Sequence, residues 1–264
     1  MTLLIIAYLA VGVSAGVLSG LLGLGGGIVI VPALFAIFTW QKFPNDISMH
    51  MATGTSLAVV MLATASATWS QHKRKAVAWN CLKYLIPGMV IGAIIGVYLG
   101  ESLSSQVLRY FFAIFCVVLA YRLIFEKAKL LNAKPRDYSK WVLLAIALFA
   151  GALAGLLGIG GGAIVIPLLM WLGLSMPMVS GTSAACAFPT AVTGSIFSMI
   201  VGLHYIGLPQ YSTGFIYWPA AILLGVGSMV AAPVGVVLAH RLPEKIVKRI
   251  FAMVLVLIAW QMSR

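Results

Sequence analysis

The sequence predicts an all-α fold: a polytopic helical membrane protein made of two inverted repeats, each a Gly-tipped helix hairpin plus three transmembrane helices. Three observations carry this. Of 264 residues, 62% are hydrophobic and 8% charged, more apolar surface than a soluble domain of this size can hide, so the solvent is a bilayer. The stretch "GLLGLGGGIVIVP" at residues 20–32 returns almost letter for letter as "GLLGIGGGAIVIP" at residues 155–167. The basic joints, finally, fall at non-equivalent places in the two copies.

The elements follow in chain order. The first apolar run lacks a basic leading region and continues straight into more apolar sequence, so it reads as mature structure rather than a secretory signal. Residues 2–40 are too long for one ordinary span at ~1.5 Å per residue and suit a helix pair that enters, turns at the glycines and returns. Three crossings come next, at about Met49 to Ser70, Asn80 to Gly100 and Ser105 to Phe125. The basic stretch 127–139 then links the first repeat, 1–126, to the second, 140–264. "TGTS" (Thr53 to Ser56) is answered there by "SGTS" (Ser180 to Ser183), and the order of features is the same in both halves. Pro87, Pro189, Pro219 and Pro233 each remove a helix hydrogen bond and predict bends.

Charge sets the orientation of the copies. The joint "HKRKAVAWN" holds Lys73, Arg74 and Lys75, while its counterpart "GLHYIGLPQYSTG" holds no lysine or arginine. At the next pair the bias reverses, since "GESLSS" has one acid and no base, whereas "HRLPEKIVKR" has Arg241, Lys245, Lys248 and Arg249. Under the positive-inside rule equivalent joints lie on opposite sides, so the halves are inverted. Inversion requires an odd number of crossings per half, which a returning hairpin plus three spans supplies. The same rule makes the linker cytoplasmic and both termini periplasmic. A net charge of +12 is thereby explained by topology, without nucleic acid.

A turn inside a bilayer needs a reason, because each unsatisfied amide there costs several kcal/mol. The N–H groups of Gly23, Gly25, Gly26 and Gly27, and of Gly158, Gly160, Gly161 and Gly162, lie at the positive ends of the helices that follow and suit a small anion. Thr53, Thr55 and Ser56, with Ser180, Thr182 and Ser183, add neutral hydroxyl donors. Packing of small residues accounts equally well for any single glycine, and helix back-bonding for any single hydroxyl; their duplication favours function. His50, beside the Thr53 cluster, is the one histidine placed to join this chemistry.

Other classes find no residues. All five acids fall in joints or at helix ends, so no intramembrane carboxylate marks a cation site or proton relay. Cys81, Cys116 and Cys186 have neither CxxC nor CxH spacing, and the histidines form no metal set. No P-loop is present, and "GIGGGA" meets a dinucleotide pattern in one copy only, after a helix-length run. No catalytic residue, cofactor or metal is expected.

The duplicated glycine motifs, each followed by "GTS" in a basic chain of this length, resemble the TauE/SafE family of sulfite exporters and related permeases for sulfur-containing anions. The resemblance spans nearly the whole chain. It implies transport of sulfite, sulfoacetate or another organosulfonate across the bacterial inner membrane without a nucleotide-hydrolysing subunit. The function expected is secondary transport, with export favoured, by alternating access. A passive anion channel and a non-transporting scaffold are the rival readings. The partners expected are the bilayer and a small organic or inorganic sulfur oxyanion, with homo-oligomerisation left open.

Overall fold

The computed structural model describes residues 2–23, 25–125, 140–239, 241 and 244–263. The predicted linker 127–139 lies outside the described residues. The chain forms α1 (Thr2–Leu22), α2 (Gly27–Trp40), α3 (Asn45–Lys73), α4 (Trp79–Ser102) and α5 (Ser105–Phe125). It then forms α6 (Lys140–Leu157), α7 (Gly162–Trp171), α8 (Met176–Gly202), the short strands β1 (Ser212–Thr213) and β2 (Ile216–Tyr217), α9 (Trp218–Ala239) and α10 (Glu244–Ser263). Seven helices, α1, α3, α4, α5, α6, α8 and α9, are long and apolar enough to cross a membrane. The helix hairpins stand where the glycines predict them. Their second arms are short: at ~1.5 Å per residue the ten residues of α7 cover only about half a hydrocarbon core.

Small residues set the packing. α1 runs parallel to α9, with Gly12, Gly16 and Gly20 meeting the Leu224, Ser228 and Ala232 carbonyls in turn, so the two backbones touch without intervening side chains. α4 meets α6 in the same parallel sense, through Gly88, Gly92 and Gly96. The pairing recurs under exchange of the halves: α1 on α9 matches α6 on α4, α3 on α9 matches α8 on α4, and α5 lies on α10. Between them stands α3, the most buried of the long helices, packed on α2, α8 and α9. Large apolar side chains such as Ile6, Phe149, Ile114 and Val230 point outward, the reverse of a soluble protein and what a lipid solvent requires.

The bundle has two faces. The start of α3, the end of α4 and the start of α5 share one, tied by Ser105 Oγ, which accepts a hydrogen bond from Met49 N–H at 2.9 Å. Glu101 lies there, and Phe215 of the connection 203–217 packs beside His50. The opposite face carries the end of α3 and the start of α4, with Lys73, Arg74 and Lys75. Pro87, Pro189 and Pro233 do sit inside helices. Pro219 does not bend one: it occupies the first turn of α9, where its missing N–H would have had no helical partner.

Candidate functional site

Each hairpin turns on glycines in the left-handed region, where a side chain is strained. Gly26, with φ 74°, precedes α2, and Gly161, with φ 80°, precedes α7. The tips reach past the middle of the bundle, and each docks on the hydroxyl motif of the other half. Gly23 presses on the Ser180 backbone of α8, and Gly158 on Thr53 of α3, where an added Cβ would lie 2.8 Å from the Thr53 Cα. Between these contacts the tips touch one another. A Cβ on Gly27 would meet the Gly158 carbonyl, and Val60 is wedged against both turns, 2.7 Å from a Cβ built on Gly25 and 2.7 Å from one on Gly160. Val60 lies midway along α3 and is wholly buried, as are Ile159, Thr64 and Ala187 around it.

The hydroxyls hold this arrangement together. Ser56 Oγ donates to the Gly158 carbonyl at 2.8 Å, and Ser183 Oγ shares its hydrogen between the Gly23 and Gly162 carbonyls at 2.9 and 3.1 Å. Thr55 and Thr182 pin the loops that lead into the next helices. Thr182 Oγ1 accepts from Ala78 N–H at 2.9 Å, while Thr55 Oγ1 accepts from Tyr217 N–H at 3.0 Å and donates to the Phe215 carbonyl. Thr53 back-bonds to the His50 carbonyl on its own helix, and Ser180 Oγ accepts from Gln71 Nε2 at 3.4 Å. The sequence reading assigned these six hydroxyls to a ligand; in this conformation all six are engaged with protein, and Ser56 and Ser183 hold the tips.

The tip amides differ. Among the described residues, the N–H groups of Gly25, Gly26 and Gly27 meet no acceptor, and neither do those of Gly160, Gly161 and Gly162. All six glycines are buried. Buried N–H groups without partners are rare in native proteins and cost about 1–3 kcal/mol each. Here they cluster at the starts of two helices, each bearing roughly half a positive elementary charge. The arrangement can stabilise a negative charge once the tips part.

A narrow crevice lies nearby, lined by His50 and Thr53 of α3, Gly100 and Glu101 of α4, Gly155 and Leu156 of α6, Ser198 of α8, and Phe215. Thus it runs from the Glu101 face toward the second tip. Of these, Ser198 and Phe215 were not foreseen, nor were Val60 and Gln71. Ser198 and Gln71 were within reach, because the register that matches Thr53 with Ser180 also matches Gln71 with Ser198. Val60 carried no signal, being one aliphatic residue among many. Among the described residues no group of three His, Cys, Asp or Glu could hold a metal.

Interlocked glycine-tipped hairpins at the centre of an apolar bundle define a polytopic helical membrane protein. The chain belongs to the TauE/SafE family: the model "Sulfite exporter TauE/SafE" matches residues 8–262. It is 29% identical to a "probable membrane transporter protein" of Haemophilus influenzae, over 98% of this chain and 97% of that one. To the probable membrane transporter protein YunE of Bacillus subtilis it is 31% identical, over 97% and 96%. A further probable membrane transporter protein, of Methanocaldococcus jannaschii, is 24% identical over 92% and 89%. These relatives place the chain among membrane transporters. No solved structure matches it.

Proposed function

We propose that the protein is a secondary transporter that moves a small sulfur-containing oxyanion, such as sulfite, sulfoacetate or another organosulfonate, across the bacterial inner membrane by alternating access. The observation that carries this reading is the pair of touching tips, whose buried glycine amides meet no acceptor among the described residues. A tetrahedral or pyramidal oxyanion presents several acceptors to such donors. It would bind at Gly25–Gly27 and Gly160–Gly162 while Gly23 and Gly158 hold the turns. Ser56 and Ser183, released from their carbonyls as the hairpins part, would add donors. The other motif hydroxyls, Thr53, Thr55, Ser180 and Thr182, anchor the surrounding backbone.

The halves 1–126 and 140–264 act as inverted repeats, an arrangement supported by the exchange-related helix contacts and the opposed charge of equivalent joints. Positive-inside bias makes the Lys73 face cytoplasmic and the termini periplasmic. Export then needs no carboxylate relay, because each negative charge leaving an inside-negative cell gains about 2.3 kcal/mol per 100 mV.

The test is a proteoliposome screen of sulfite, thiosulfate, sulfoacetate, taurine and sulfate, with the potential set by potassium and valinomycin. Saturable flux of a sulfur oxyanion, accelerated by the same anion on the far side, is expected. Flux that neither saturates nor shows exchange would instead identify a channel. No flux, with no stabilisation of the purified protein against heat by any of these anions, would leave only a scaffold.

A further inference from the structure

His50 has no counterpart in the second half, where the register that matches Thr53 with Ser180 puts Pro177. Its ring is 6% exposed and lines the crevice with Glu101 and Thr53. Nε2 stands 3.1 Å from the Gly100 carbonyl and 3.1 Å from the Leu103 carbonyl, at the end of α4. Both oxygens only accept, so Nε2 carries the hydrogen. Nδ1 is buried and has no hydrogen-bond partner. Protonation would put a second N–H there, with the Asp46 carbonyl one turn back on α3 to receive it. Burial disfavours a charged ring, while three carbonyl oxygens and the Glu101 carboxylate in the same crevice favour it.

The charge of the crevice turns on that proton. With a neutral ring the crevice carries the negative charge of Glu101 and repels an oxyanion; with a protonated ring it is neutral, and its floor at Gly155 and Leu156 leads to the second tip. The other titratable or charged groups toward this end of the surrounding elements are Lys42 before α3, Asp46 on α3, Tyr98 on α4, Arg109 and Tyr110 on α5, and His204, Tyr205, Tyr211 and Tyr217 on the connection 203–217. Arg109 is turned aside over Phe35 and Tyr110, at 5.8 and 5.4 Å from the ring centroids. α6 and α8 bring none to the crevice.

We propose that His50 is a proton site coupled to the anion: the ring takes a proton from the Glu101 face, and an oxyanion passes the crevice only with that proton bound. Proton and anion then move together as a neutral pair, so an inward proton gradient favours uptake and takes the place of the electrical driving force for export described above. This rests on the transport reading above.

The probe is methanesulfonate, an anion that does not titrate near neutrality, offered to wild-type protein in proteoliposomes at a clamped potential with a trapped pH dye. Methanesulfonate uptake should carry protons with it, and its rate should fall by up to about tenfold per pH unit on the alkaline side. His50→Gln should abolish both the proton movement and the pH dependence while methanesulfonate still stabilises the protein against heat. Should that variant fail to fold, Glu101→Gln decides: it should raise uptake severalfold at high pH, and unchanged uptake overturns the proposal. Wild-type uptake without proton movement overturns the coupling and leaves transport standing. Neither uptake nor heat stabilisation by any sulfonate would overturn the transport reading itself.

Discussion

Gly26 and Gly161 share a role and a backbone conformation, yet their surroundings differ. An alanine at either position pays about 1–2 kcal/mol for the left-handed backbone. At Gly26 the new Cβ would also lie 2.6 Å from the Ala15 carbonyl, part of a helix that cannot yield. At Gly161 the nearest atom, also at 2.6 Å, is the mobile Cε of Met89. Gly26→Ala should therefore unfold at a clearly lower temperature in detergent than Gly161→Ala, and equal losses would contradict the tip geometry. The sequence marked both glycines as turn candidates, because the clustered motif recurs in both halves within a run too long for one span. Neither the fine difference between them nor the closure by Val60 was legible, because both depend on what the tip meets across the molecule. The same holds for the hydroxyls. Their duplication marked them out, but only packing shows that Ser56 and Ser183 hold the opposite hairpin.

Among the elements, α1 with α9 and α4 with α6 behave as paired units whose backbones touch along small residues. The α4 glycines are not equivalent in this respect. A Cβ at Gly92 would strike the Leu148 carbonyl of α6, whereas at Gly100 the nearest atom is 3.7 Å away. Gly92→Ala should lower thermal stability by several degrees and Gly100→Ala should leave it nearly unchanged, as measured by unfolding in detergent. Similar effects would mean that α4 and α6 are not in register. Helix bounds were readable to within a few residues, since length and apolar continuity fix a span. The misreading of Pro219 as a bend arose from a boundary: proline acts only inside a helix, and this one opens it. Which helix lies central was not readable either. α3 is among the less apolar of the long helices, and it occupies the middle because its polar groups find partners there.

At the scale of the molecule, the charge asymmetry of the joints and the exchange-related contacts converge on one design, two halves whose hairpins interlock at the centre. Each tip is held by the other half, so in the proposed cycle the hairpins would part as the halves move against one another, with the crevice on the Glu101 face as one approach. Composition foretold the helical membrane bundle, and the repeated glycine motif foretold a hairpin near the start of each half. The closed state of the tips was not foretold; in the proposed cycle it would be the occluded member, and Val60 the residue an anion would displace. The most direct measurement is labelling of Val60→Cys, in a protein whose Cys81, Cys116 and Cys186 are replaced by serine, with a membrane-impermeant maleimide added from one side at a time. The account predicts labelling from either face during turnover, slowed by saturating sulfonate. A variant that still transports yet is never labelled, or is labelled at a rate indifferent to the anion, would contradict a site between the tips.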